Sequence, residues 1–341
     1  MARAPQEMSP DLHIDPLLAR HWVRASRSLA QLHGQLKASA LTDIWEPLLS
    51  FVEALDATRA RGLALDVATL ARDDVLRKSA RCAESEDALQ TMAAQAKMQS
   101  LSGIPVLTPA DLVAVQSLLL TKSKGVTATA PSADLERWLH DWHSVAQPDA
   151  QADVLLQWPT LHARWSALQP TQASHWRLGC LLDRLLLQRA GLLPSMSILW
   201  SRALIASGLG WTGRSVDPVR SSAPSSLTQT ENLLDVLNLA ALQTGDMLSA
   251  LSCLWSEVSH AVQAQHKFYS PELIRHLFLH PASRVDLLAR DMAVTRLTAT
   301  RYLDALVDTG TLQRERFGRD NIYAHGALQA VIRPPDMPLR N

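Results

Sequence analysis

Two sets of side chains in this 341-residue chain have the types and spacing to do chemistry. The first lies in Gln169 to Cys180, QPTQASHWRLGC, where Gln169-Pro170 precedes a helical stretch and Ala173, His175, Arg177 and Cys180 fall at its start. An imidazole and a guanidinium at a helix N-terminus can hold a phosphate oxygen and accept a proton there. The plainer reading of His175 is an ordinary residue at a helix start. The second set is rich in arginine: Arg296, Thr300 and Arg301 in one helical stretch, then Arg314, Arg316 and Arg319 around a hairpin. Guanidinium forks match phosphate oxygens and base edges. Two histidine pairs, His140 with His143 and His276 with His280, have the spacing of metal ligands on one helix face, but neither has an evident third ligand in sequence, so no metal site is predicted. Cys82, Cys180 and Cys253 lie in apolar surroundings and read as packed thiols without a disulfide framework.

The elements that position the arginines are legible from local signals. Ser270-Pro271-Glu272 supplies a cap, a proline at the first helical position and an acid in the first turn, predicting a helix over Pro271 to Leu279. A second helix is predicted from Arg284 to Met292, with Ala293-Val294 as a tight turn. In the third, capped by Thr295, Ala299, Tyr302, Leu303, Leu306 and Val307 form an inward stripe, which turns Arg296, Leu297, Thr300 and Arg301 outward. Gly310 ends it, and strands over Thr311 to Glu315 and Asn321 to Ala324 flank the turn Arg316-Phe317-Gly318-Arg319. This is the pattern of a winged helix-turn-helix, and it predicts double-stranded DNA as partner, with Arg296, Thr300 and Arg301 at the groove and Arg314, Arg316 and Arg319 on phosphates. A palindromic site would call for a homodimer. The competing reading is a module that binds only protein. Exposed Leu297 favours it, as does the mild charge of Ser270 to Arg333, nine arginines against seven acids.

The composition bounds the rest. Thirty-three basic and 33 acidic residues leave no net charge, so affinity for a polyanion must come from local arrangement. Helical periodicity dominates from His21 to Leu209, strand-like alternation is nearly confined to the wing, and the chain reads as mainly α. The expected division is an extension over 1–24, a helical body over 25–211, a linker over 212–230, connecting helices over 231–268, the winged helix over 269–333 and a tail over 334–341. Lys122 to Ala133 reads as an internal loop. With no export signal and no membrane-length apolar run, a cytoplasmic location is expected. No glycine-rich phosphate loop or dinucleotide fingerprint is present, so no cofactor is predicted. The ten tryptophans, against four phenylalanines, have no functional explanation at this level.

The body resembles a Fic domain, the helical fold of enzymes that transfer nucleotide monophosphates to hydroxyl groups of proteins. The likeness is carried by QPTQASHWRLGC in place of the family's H-P-F-x-[DE]-G-N-G-R-x-x-R, followed by LLDRLLLQRAGLL and Ser201-Arg202. Leu161 to Trp165 resembles the approach to that motif, Pro131 to Trp142 the helix after the substrate flap, and Ser28 to Leu36 with Glu53 to Gly62 the N-terminal helices and inhibitory segment. The resemblance implies that Gln169 stands where the family has its catalytic histidine, Ala173 where it has the magnesium-holding acid, and Cys180 where it has the second arginine. Ser174, His175 and Trp176 replace the small phosphate-cradling residues, and Arg61 replaces the inhibitory glutamate; Pro170, Arg177 and Gly62 persist. An amide has no useful basicity near neutral pH, and alanine cannot bind a metal. The implied protein is a catalytically inactive Fic-like body joined to a DNA-binding winged helix, similar to a group of bacterial helix-turn-helix proteins and acting as a transcriptional regulator. The alternatives are a Fic-type AMP transferase with an altered site and a pseudoenzyme serving protein association.

Overall fold

The computed structural model describes residues 15–76, 81–120, 133–147, 154–168, 173–209 and 226–334. Among these the fold is mainly α, with fourteen helices and one small three-stranded antiparallel sheet. The N-terminal helix α1 (Pro16–Ala38) starts on a proline behind the cap Asp15, whose carboxylate accepts from Leu17 N at 2.7 Å, so helix begins inside the expected extension. It lies along the 40-residue helix α10 (Ser226–Gln265). That helix takes in residues expected to be linker; Gln169, Pro170, the loop residues 122–132 and the linker residues 212–225 lie outside the described residues.

Two helices form the centre of the body. In α2 (Thr42–Ala60) every residue from Phe51 to Thr58 is buried, and in α8 (Ala173–Arg189) nearly every described side chain is. A helix apolar on one stripe alone would leave its other face to water; the second half of α2 and most of α8 are enclosed all round. Each therefore carries charged residues into the core: Glu53 and Asp56 on α2, and Arg177, Asp183 and Arg184 on α8. Around them pack α3 (Val67–Val75), α4 (Ala83–Ser100), α5 (Pro109–Leu119), α6 (Ala133–Val145), α7 (Val154–Leu168) and α9 (Trp200–Ser207). The tryptophans now have their explanation. Trp45, Trp142, Trp158 and Trp200 are fully buried fillers, and Trp138 meets Trp165 at 4.7 Å. Several indoles also find acceptors, Trp138 on Leu161 O and Trp158 on Asp183 Oδ1.

The C-terminal unit runs α11 (Pro271–Leu279), β1 (Ala282–Ser283), α12 (Val285–Asp291), α13 (Arg296–Asp308), β2 (Gln313–Phe317), β3 (Asp320–Ala324) and α14 (Gly326–Ile332). Local signals placed α11 on its observed span and the cap of α13 on Thr295, which accepts from Thr298 N at 3.2 Å. Gly318 turns the hairpin at φ 59°. Sequence reading missed β1, which pairs Ala282 with Ala324 and makes the sheet order β1-β3-β2, and it missed α14. A two-residue strand has no periodicity of its own; its partner across the sheet defines it.

The unit is docked on the body. Phe278 packs edge-on to Trp45 at 6.1 Å and tilted against Trp255 at 4.9 Å. Arg284 donates to Val75 O at 3.1 Å, Arg72 lies 4.8 Å above the ring of Phe317, and Arg202 donates to Ile332 O at 2.9 Å.

Candidate functional site

At the start of α8 the side chains that resemble a transfer motif are tied into the interior. Arg177 is buried and donates through Nη1 to Asp87 Oδ1 and Thr91 Oγ1, both at 3.1 Å, and through Nη2 to Leu119 O. Arg61 reaches the same Asp87 Oδ1 at 2.5 Å, and Thr58 donates to Oδ2 at 3.2 Å. The carboxylate of α4 thus gathers two guanidinium groups, one from the C-cap of α2 and one from α8. Sequence comparison marked Arg61 and Arg177 but missed Asp87. Its one signal was that it shares the buried face of α4 with Ser85, Ala88, Thr91 and Gln95, small or polar residues where a core helix would normally place leucines.

Among the other described side chains of the motif, His175 and Cys180 are also buried. His175 is buried and stacked on Trp165 at 4.2 Å, its Nε2 2.7 Å from Trp165 O, while Trp165 Nε1 donates to His175 O at 3.2 Å. Burial lowers its pKa, so it is a neutral core imidazole. Ala173 opens α8, and Cys180 is buried, its thiol pushed well up by burial and by Asp183 and Glu53. Glu53 accepts from Ser201 N at 3.0 and 3.1 Å and from Ser201 Oγ at 2.7 Å; burial pushes its carboxyl up to about 7, against the lowering effect of Arg184. Next to it Arg202 donates to Asp56 Oδ2 at 2.8 Å. A cavity lined by Glu53, Gln95, Trp176, Arg177, Cys180 and Arg184 has a volume of about 10 Å³. That is room for one water-sized molecule.

The second set lies in solvent. Arg296 and Arg301 on α13 and Arg316 and Arg319 on the hairpin are all exposed. Two members also have partners within the unit: Thr300 Oγ1 donates to Arg296 O at 2.9 Å, and exposed Arg314 pairs with Asp304 at 3.1 Å, which also accepts from Tyr323 OH. Asp304 faces β2 from one turn beyond Arg301, a contact that only the fold creates. Leu297 is 63% exposed on the same edge.

The histidines and cysteines also move from their expected places. His143 Nε2 binds Leu107 O at 3.0 Å, with no metal-ligand group beside it among the described residues. His276 and His280 do have a third group, Asp291, which sequence spacing could not reveal because it comes from the end of α12. Cys82 is the N-cap of α4 and packs, partly buried, against the core, whereas Cys253 is exposed on α10 and is not the packed thiol that its apolar surroundings suggested.

With this geometry in place, comparison with known proteins adds two findings. Residues 254–328, the end of α10 through the hairpin and into α14, match the family described as protein adenylyltransferase SoFic-like, C-terminal domain. The match covers less than a quarter of the chain. Among solved structures, a Fic family protein from Desulfovibrio desulfuricans G20 is similar at 14% identity and a TM-score of 0.42, over 92% of this chain and 97% of that one. No described helix is long and apolar enough to cross a membrane.

Proposed function

We propose that the chain is a Fic-type protein whose transfer site is closed, and that its working surface is the arginine-bearing edge of the C-terminal unit, a winged helix directed at double-stranded DNA. The observation that carries the proposal is the contrast in guanidinium placement. Arg177 is committed to Asp87 and Thr91 in the core, while Arg296, Arg301, Arg316 and Arg319 project from one unit into solvent. Phosphate oxygens can be reached only by the second group.

The closed site argues against turnover. Among the described residues the cavity beside Arg177 has space for one water, and the position that would hold magnesium is Ala173, which offers no carboxylate. The residues present do not fit the metal. The order helix, strand, helix, helix, hairpin is that of winged helices, with α13 as the recognition helix and β2–β3 as the wing. A homodimer would place two such helices on a palindromic site, in a bacterial regulator acting in the cytoplasm.

A second reading rests on the family match, since residues 254–328 resemble a segment of a protein adenylyltransferase. In that reading the body still transfers AMP, through rearrangement around Asp87. One pair of experiments separates the two. Binding to random duplex DNA at two salt concentrations, followed by recovery of bound sequences, should yield a motif; Arg301→Ala should then weaken specific binding by about 1 to 3 kcal/mol if it reaches a base edge. Incubation with labelled ATP should leave no protein-bound label. A stable AMP adduct, or uniform weak binding that salt abolishes, would sink the first reading. Leu297 favours a protein partner as the remaining outcome, seen as association unaffected by Arg301→Ala.

A further inference from the structure

We propose that His276, His280 and Asp291 form a binding site for one first-row divalent transition cation of the Zn²⁺ type, at the junction of α11, α12 and the body. The three donor atoms converge without help from the rest of the chain. His276 and His280 are one helical turn apart, the second at the C-cap of α11, and Asp291 closes α12. His276 Nδ1 is 2.9 Å from Asp291 Oδ2, His280 Nε2 is 3.2 Å from the same oxygen, and all three ligand atoms lie within 4.8 Å of one another. Bonds of about 2.0 to 2.1 Å to a tetrahedral metal put neighbouring ligand atoms roughly 3.3 Å apart. The two observed nitrogen–oxygen spacings lie just under that edge and the third pair is within 4.8 Å, so small side-chain rotations suffice.

The surroundings are those of an oriented ligand set. Ser283 Oγ sits 2.6 Å from His276 Nε2, the nitrogen that would face away from the metal. With a cation bound, Nε2–H donates to Ser283 Oγ and the lone pair of Nδ1 is free; without one, Nδ1–H can donate to Asp291 instead. Arg290 donates to Asp291 Oδ1 through Nε and lies 3.0 Å from it through Nη2, which leaves Oδ2 as the donor. Two imidazoles and one carboxylate suit Zn²⁺, Co²⁺ or Ni²⁺ and do not suit Ca²⁺ or Mg²⁺, which take oxygen.

Access comes from a cleft of about 470 Å³ lined by Asp74, Val75, His280, Arg284, Asp286 and Arg290. A fourth ligand, water or the Asp74 carboxylate, would enter from this side. Asp74 belongs to α3 of the body, so a bound cation would fasten the helix before the recognition helix to the body across the docking surface.

The test uses the full chain, stripped with a chelator and titrated calorimetrically with Zn²⁺, with Co²⁺ as an optical probe. The expected result is one equivalent of Zn²⁺, tetrahedral visible bands for Co²⁺, and a rise in Tm with Zn²⁺. His280→Ala, at a partly exposed position, should retain its far-ultraviolet dichroism and lose that equivalent; Ser283→Ala should weaken binding about 10- to 100-fold. Should His280→Ala not fold, Asp291→Asn, nearly isosteric, takes its place. The site is refuted if the variant binds Zn²⁺ as wild type does, or if wild type shows no saturable binding and Co²⁺ keeps its aqueous spectrum.

Discussion

In the body, Glu53, Asp56, Asp87, Arg177, Arg184 and Arg202 are carried on central helices into the core and joined across them, α2 to α9 through Glu53 with Ser201 and Asp56 with Arg202, α4 to α8 through Asp87 with Arg177. In the C-terminal unit the buried polar groups are Ser283 and two histidines held neutral, His276 and His325, while most arginines of α13 and the hairpin stay in water. The difference teaches what a guanidinium is for in each place. A buried pair stabilises little against a hydrophobic substitute of the same shape, yet removing one partner is severe, so it selects one helix arrangement. An exposed guanidinium holds nothing together and remains available to a polyanion.

The largest effect should come from breaking the body's network. Asp87→Ala leaves Arg61 and Arg177 without their carboxylate, and about 3 to 5 kcal/mol of stability should be lost in denaturant unfolding. Arg301→Ala, on the other side of the comparison, should stay within about 0.5 kcal/mol of wild type. A loss for Asp87→Ala as small as that for Arg301→Ala would show that the buried network does not hold the body closed.

Next in size is the response to pH, where one buried group from each region carries the opposite sign. His325 is pushed down from 6.5 to about 4 by burial, with its Nδ1 accepting from Leu328 N at 3.1 Å. Because the unfolded chain takes up that proton first, stability present above about 6.5 is lost as pH falls toward 4. Glu53, raised from 4.5 to about 7, keeps its proton longer in the folded state; its contribution is present below 4.5 and lost as pH rises through 7. Each is worth about 3 kcal/mol at full extent. Thermal unfolding across pH should show Glu53→Gln flattening the alkaline limb and His325→Asn, which keeps a capping acceptor, flattening the acid limb. Slopes parallel to wild type in either variant would contradict the assignment.

The smallest effect is one of access. Thiol titration of the native chain should label exposed Cys253 readily and Cys180 only on unfolding. Early labelling of Cys180 would mean that the start of α8 opens in solution, which would favour a transfer-competent body.

Sequence was most informative where structure is made locally. Ser270-Pro271, Thr295 and Gly310 act through their own backbone or that of the next few residues, so α11 and α13 were readable, and the inward stripe of α13 followed from period alone. Pairings across the chain were not readable. Asp87 as the meeting point of Arg61 and Arg177, Asp291 beside two histidines, Asp304 under Arg314 and β1 against β3 join residues whose separation in the chain says nothing of their distance in space. The same holds for His175, which reads as an ordinary residue at a helix start and is stacked on Trp165 in the core.

By itself, then, the sequence determined a mainly helical chain with a capped three-helix and hairpin unit at its end, because helix periodicity and capping are short-range. Which arginines are sealed and which remain free was decided only by tertiary packing. A charge is committed by the partner that burial brings to it, and that partner comes from another helix.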